Sequence, residues 1–220
     1  MALVMFDLDG TLLDTAGEIG DSVNRTLKEF GHSPVSDDDV RRWIGHGTGW
    51  LMQQAWAAAA GDSNENDWAY VMSRFIEHYY DCAGTSSHAY PYVLETLAAL
   101  KALGVKRAVV TNKESRFTDR ILIKHQLADH FDMVICGDTL PVKKPNPAVI
   151  FHCMNHLGQA AGECLFVGDS EIDVATAKAA GVTCWAVPYG YNMGRPIESA
   201  APDLVVPNVK DVPNYFKGFV

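Results

Sequence analysis

Short apolar runs that alternate with helical stretches constrain this chain more than any other feature. Residues 107–110, 133–136, 164–167 and 182–187 are short and apolar, and stretches 91–103, 115–125, 147–157 and 172–180 have helical spacing. Gly104, Gly158 and Gly181 stand where three of those helices should stop. Residues 204–206 read as a last short strand and 211–216 as a terminal helix. Strands alternating with helices predict an α/β fold, a doubly wound parallel sheet with helices on its faces.

One apolar run, Leu3-Val4-Met5-Phe6, stands apart from the others. Everything between about 15 and 82 is helical in pattern. Ile19, Val23, Leu27 and Phe30 share a face in 18–30, and Gly31 follows. Ser36 reads as an N-cap before Asp37-Asp38-Asp39, with a short helix to about Ile44. Gly45-His46-Gly47-Thr48-Gly49 breaks the pattern, residues 50–60 resume it, and Gly61-Asp62-Ser63-Asn64 reads as a turn. In 68–81 the stripe of Trp68, Val71, Met72, Phe75, Ile76, Tyr79 and Tyr80 reads as core. The small, polar Ala83-Gly84-Thr85-Ser86-Ser87 reads as a linker from residue 83 to 87. The expected organisation is an α/β catalytic core of residues 1–14 and 86–220. An all-helical cap subdomain of residues 15–85 is inserted after the first strand, with hinges near 14–17 and 83–87.

Composition narrows the function classes. The 220 residues carry a net charge of −9, which offers nucleic acid or an anionic membrane no general attraction. No apolar run approaches the roughly 20 residues that span a bilayer. The five cysteines, Cys82, Cys136, Cys153, Cys164 and Cys184, are odd in number and lack C-x-x-C spacing. Disulfide and zinc frameworks are therefore disfavoured, and a reducing compartment is expected. Acids begin at Asp7, unlike a signal peptide. A soluble cytoplasmic protein, monomer or homodimer, is the expectation.

In an open parallel sheet, ligands sit beyond the carboxyl ends of the strands. Asp7 and Asp9 leave the first strand, and Gly10 lets the backbone turn after them. Thr111-Asn112 leave the strand at 107–110. Gly168-Asp169 leave that at 164–167, with Asp173 one helical turn on. Lys143-Lys144-Pro145-Asn146-Pro147 precede the helix at 147–157. Carboxylates, a hydroxyl–amide pair and a lysine at one edge suit phosphate with Mg²⁺. Asp7 and Asp169 are candidate metal ligands. Thr111 and Asn112 are candidate phosphate donors, and Lys144 is a neutraliser of the transferring group. Asp9 is placed to protonate a leaving alkoxide and then deprotonate water. Each has a plainer reading: Thr111-Asn112 as a turn, Asp169 as a helix cap, Asp173 or either lysine as a surface charge.

Asp7-Leu8-Asp9-Gly10-Thr11, Thr111-Asn112, Lys144-Pro145 and Gly168-Asp169-x-x-x-Asp173 together resemble, in order, the four motifs of the haloacid dehalogenase superfamily. Stretches 43–47, 110–113 and 188–194 resemble more narrowly its bacterial phosphoglycolate phosphatases. That resemblance implies a Mg²⁺-dependent phosphomonoester hydrolase acting on a small phosphorylated metabolite, 2-phosphoglycolate, through an aspartyl-phosphate. By the same resemblance Asp7 is the nucleophile. Asp9 is the acid/base, with its backbone carbonyl on the metal. Thr111, Asn112 and Lys144 bind phosphate, Asp169 binds Mg²⁺, and Asp173 is an acid behind the ligands. The Lys-Pro-x-Pro pattern selects Lys144 over Lys143. Gly45, His46 and Gly47 would form the substrate-specificity loop of the cap, and the cap would close over substrate.

Three other readings compete. A phosphomutase of the same architecture would keep every core residue and return the phosphoryl group to a sugar. A dehalogenase would need neither Asp9 nor Asp169. A phospho-receiving signalling module would have little use for a cap. Tyr189, Tyr191, the remaining histidines and the cysteines read as structural.

Overall fold

The computed structural model describes residues 2–61 and 67–218. The chain runs β1 (Leu3–Phe6), β2 (Leu13–Asp14), α1 (Ala16–Glu29), α2 (Asp37–Trp43), α3 (Thr48–Ala60), α4 (Trp68–Cys82), β3 (His88–Ala89), α5 (Val93–Ala102), β4 (Lys106–Val110), α6 (Ser115–Lys124), β5 (Met133–Ile135), α7 (Ala148–Leu157), β6 (Cys164–Gly168), α8 (Glu171–Ala180), β7 (Thr183–Ala186), β8 (Leu204–Val205) and α9 (Val212–Phe216). Six strands form one parallel sheet in the order β5-β4-β1-β6-β7-β8. The chain builds outward from β1 to β4 and β5, then crosses to β6 on the other side. The strand order therefore reverses beside β1, where such folds open a crevice.

β1 is buried along its whole length, as a strand covered on both faces must be. Its side chains alternate between two cores. Val4 and Phe6 pack with Val109, Leu165, Phe117 and Leu97 under α5 and α6. Leu3 and Met5 pack with Ala108, Val110, Phe166, Ile150 and Val174 under α7 and α8. The fold is thus the doubly wound parallel α/β sheet that the alternation predicts.

Between β2 and β3 the described residues hold helices and no strand. α1 packs along α4 through Ile19, Val23, Leu27, Val71 and Phe75. Phe30 meets Trp56 edge-on at 5.4 Å, and Trp56 meets Trp68 at 6.1 Å. Ser36 caps α2 by accepting from Asp39 N. The chain leaves the sheet through β2 and returns through β3. These pair antiparallel, Leu13 with Ala89 and Asp14 with His88. Two-residue strands have no periodicity to read, so this ribbon is invisible in the sequence.

Two local readings shift. Helical spacing predicts a start at Pro91, whereas α5 begins at Val93 because Tyr92 takes a left-handed φ of 70°. The break at 45–49 is shorter than its glycines suggest, since Thr48 and Gly49 already belong to α3. Gly61 ends α3, while Asp62, Ser63 and Asn64 lie outside the described residues. All five cysteines are buried and free. Among the described residues, no helix is long and apolar enough to cross a membrane.

Candidate active site

The sheet order sets the site. β1 lies between β4 and β6 in register, Phe6 opposite Val109 and Val167. The residues just past these three ends, Asp7, Thr111 and Asp169, are therefore neighbours. Gly10 holds φ at +87°, and a Cβ there would fall 2.3 Å from Asp169 Oδ2. Only glycine lets the turn after Asp9 pass that close to the carboxylate.

Asp7, Asp169 and Asp173 form a buried cluster, with one oxygen from each within 4.8 Å of the others. Lys144 Nζ enters it, 2.7 Å from Asp173 Oδ1 and 2.8 Å from Asp7 Oδ1. The Asp173 contact is an aligned hydrogen bond. The Asp7 contact is a less well aligned ion pair, and among the described residues Asp7 Oδ1 has no other partner. Asp173 Oδ2 accepts from Ser170 Oγ and N and from Asp169 N, which makes Asp173 half of the capping box of α8. Asp169 accepts from Thr11 Oγ1 at 2.7 Å and from Tyr191 N.

Three carboxylates and one ammonium leave the cluster strongly acidic. Burial pushes the Asp7 carboxyl up to about 7; Lys144 opposes this, and Asp173 and Asp9 add to it. Burial, then the charges of Asp173 and Asp7, hold Asp169 well above the usual carboxylate range. Lys144 stays charged: burial works against it, but Asp173 and Asp7 outweigh that and raise it. A divalent cation with oxygen preference answers this imbalance. Asp7, whose buried Oδ1 has only Lys144 beside it, and Asp169 suit such an ion. Asp173 is tied to Lys144 and Ser170, so it orients the others. The donor set fits Mg²⁺.

Asp9 differs from Asp7 although only Leu8 separates them. Its Oδ1 accepts from Thr15 Oγ1 at 2.6 Å and lies 2.8 Å from Lys113 Nζ. Asp7 and Asp9 face a cavity of about 50 Å³ beneath the helical layer. Thr111, Asn112, Lys144, Gly45 and Gly47 are on the same wall, and Ile19, Trp43, Ile44, Leu51 and Ile172 make much of the remainder apolar. Thr111 Oγ1 accepts from Lys113 N, which leaves its own hydrogen available to a ligand. Asp169 faces a neighbouring cleft, beside Arg41 and Tyr191.

Two expected residues make contacts within the chain itself. The Asn112 amide donates to Gly45 O at 2.9 Å and Lys144 O at 3.0 Å. Both partners are carbonyls, so the NH₂ is engaged by the chain itself. The His46 ring lies against Trp50 at 4.6 Å and off the cavity wall, while its carbonyl accepts from Lys143 Nζ. Burial lowers the His46 pKa; Glu171 opposes this and Lys143 adds to it.

Sequence reasoning missed Lys113, Tyr79 and Tyr191 as site groups. Lys113 follows Thr111-Asn112 directly, so its place at a strand exit was a signal. Tyr79 belongs to the apolar stripe of α4, yet its hydroxyl accepts from Lys113 Nζ and it lines the cavity. Only the packing of α4 against α6, with the Tyr79 ring 4.3 Å from that of Phe117, reveals this. The Tyr191 hydroxyl accepts from Thr15 N and Ala16 N and donates to Asp14. It ties the loop beside Asp169 to the start of α1.

The model of the haloacid dehalogenase-like hydrolases matches residues 4–187, spanning all of these elements from β1 to the end of β7. The chain belongs to that family. Over 212 residues it is 42% identical to Phosphoglycolate phosphatase 1 of Pseudomonas aeruginosa, covering 96% of this chain and 78% of that protein. A crystal structure described as a predicted phosphoglycolate phosphatase from Haemophilus somnus superposes with a TM-score of 0.94. It is 33% identical and covers 99% of this chain and 98% of its own. A putative β-phosphoglucomutase from Thermotoga maritima superposes at 0.78 with 24% identity, covering 100% of both chains. At that identity the likeness shows the fold alone.

Proposed function

We propose that this hydrolase cleaves the phosphate monoester of 2-phosphoglycolate, releasing glycolate and phosphate, with Mg²⁺ as cofactor. The observation that carries the reading is the pairing of a buried Asp7–Asp169–Asp173–Lys144 cluster with an adjoining cavity of only about 50 Å³. The names of its relatives support the same substrate.

In this reading Asp7 attacks phosphorus while the ester oxygen departs with a proton from Asp9, giving an aspartyl-phosphate on Asp7. Asp9 then takes a proton from water, which attacks phosphorus and frees Asp7. Lys144 and the Thr111 hydroxyl hold phosphoryl oxygens throughout. Asp7 and Asp169 would hold Mg²⁺, whose charge would offset repulsion between carboxylate and phosphate. Asp173 fixes Lys144. Asn112 bridges Gly45 O and Lys144 O, so we assign it to positioning the loops, not to phosphate.

We take the helices of 15–85 as a cap. Among the bonds that tie it to the core beside the cavity are Asn112 Nδ2 to Gly45 O, Lys143 Nζ to His46 O, and Thr48 Oγ1 to the Glu114 carboxylate. Substrate entry requires these to part, and their reforming excludes bulk water. A sugar leaving group, as a phosphomutase needs, would bring more hydroxyls than a wall with Ile19, Ile44 and Leu51 can partner. Phosphate release from 2-phosphoglycolate, with and without EDTA, tests the reading. Turnover that EDTA abolishes is expected; no turnover across a panel of phosphate esters overturns it.

A further inference from the structure

Lys113 is a second buried ammonium in the same cavity, and the hydrolytic chemistry assigns it no task. Lys144 serves the Asp7 end. Lys113 sits at the Asp9 end, its side chain 3% exposed, 2.8 Å from Asp9 Oδ1 and hydrogen-bonded to the Tyr79 hydroxyl. Its ammonium also lies 5.0 Å from the centre of the Tyr79 ring. A buried lysine is costly unless its charge and its donors are matched.

The plain reading is that Lys113 only neutralises Asp9. The donor count goes further. An ammonium carries three N–H groups. Asp9 and Tyr79 take two of them, and among the described residues no other acceptor reaches the third. The Tyr79 hydroxyl accepts from Lys113, and among the described residues its own proton has no acceptor. Burial, then the nearby charges of Asp9, Glu18 and Glu114, keep that hydroxyl protonated. Two unused donors, one of them cationic, thus stand side by side on a wall otherwise formed by residues such as Ile19, Ile44 and Leu51. A carboxylate has two acceptor oxygens and one negative charge. It matches this pair in charge and in acceptors; an uncharged hydroxyl could accept but would leave the ammonium's charge unmatched, and an alkyl leaving group would leave both donors unmet.

We propose that Lys113 and Tyr79 together select a leaving group that carries a carboxylate. The favoured substrates are phosphate esters of short hydroxy acids, because Lys113 contacts Asp9, two residues from the Asp7 that meets the phosphate, so carboxylate and phosphate must lie close together. This inference rests on the phosphatase reading above. Lys113 touches the leaving group, and Tyr79 both touches it and holds Lys113.

Ethyl phosphate has the chain length of 2-phosphoglycolate and lacks the carboxylate, so the ratio of kcat/KM for the two esters reads the proposal directly. Wild-type protein with Mg²⁺ should strongly prefer 2-phosphoglycolate. In Lys113→Met that ratio should fall about 10- to 100-fold, the range for hydrogen bonds to a charged group. Lys113→Arg should keep more of the preference than the methionine variant, and Tyr79→Phe should lower the ratio while retaining the ring. Circular dichroism melts establish that each variant folds; should Lys113→Met fail to fold, the Tyr79→Phe ratio decides. Equal loss on both esters in Lys113→Met, or an unchanged ratio in Tyr79→Phe, overturns the proposal and restricts Lys113 to serving Asp9. A wild-type enzyme that cleaves both esters equally overturns it too, yet leaves the phosphatase reading standing. Cleavage of neither ester removes both.

Discussion

Asp7 and Asp9 are separated by one residue and have different surroundings. Asp7 is enclosed by Asp173, Asp169 and Lys144, and burial raises its carboxyl to about 7. Asp9 lies beyond the strand end, bonded to Thr15 and paired with Lys113. On the proposed mechanism, one carboxylate is held for a metal and for attack, the other for proton transfer beside the leaving group. Asp7→Asn should lower turnover by about 10⁴-fold or more, as losing a nucleophile does. Its melting temperature in EDTA should equal or exceed that of wild type, since one buried negative charge is gone. Appreciable residual turnover would count against the nucleophile. Asp9→Asn should slow aspartyl-phosphate formation, breakdown or both by at least about 10²-fold, measured by rapid quench. A normal rate removes Asp9 from the mechanism.

The two crossings between helical layer and sheet are fastened by side chains whose sequence positions say little. Glu18 is fully buried in α1 and accepts from Gly84 N at 2.8 Å and Ser87 N at 3.2 Å, joining one crossing to the other. Burial raises its pKa, though Lys113 and those hydrogen bonds oppose the rise. A raised carboxyl ionises first in the unfolded chain. Its contribution is therefore most favourable below about pH 4.3, the unfolded value, and diminishes as pH rises through the folded pKa. Glu18→Gln keeps an acceptor for the two N–H groups and removes the charge. The melting temperature of Glu18→Gln relative to wild type should accordingly climb between about pH 4 and pH 7; a difference independent of pH would show that Glu18 is buried without electrostatic cost. Among the elements themselves, α2 was legible because Ser36 and three acids mark its start. The β2–β3 ribbon was not, because two residues per strand make no pattern.

At the scale of the molecule, the cluster is assembled by sheet order alone. Asp7, Thr111 and Asp169 meet because β1 lies between β4 and β6. Three buried carboxylates against one lysine make the metal-free fold less stable than the bound one. Mg²⁺ at about 100 times its Kd should add about 2.7 kcal/mol. For a chain of this size that is a rise in Tm of about 5–11 °C. Asp169→Asn should lose most of that rise. An equal rise in the variant would place the ion elsewhere.

Much of this was determined by the sequence itself. Alternating apolar runs and helices dictate a parallel sheet, because period and length are local properties of the chain. The polar residues at the strand ends dictate which groups reach its active edge, because ligands gather at the carboxyl ends. Tertiary structure alone decided what each group does there. Asn112 is taken up by two carbonyls from distant segments, Asp173 divides itself between Lys144 and Ser170, and Lys113 finds a tyrosine from another helix. Burial, hydrogen-bond partners and cavity shape arise from residues far apart in the chain, and no local pattern encodes them.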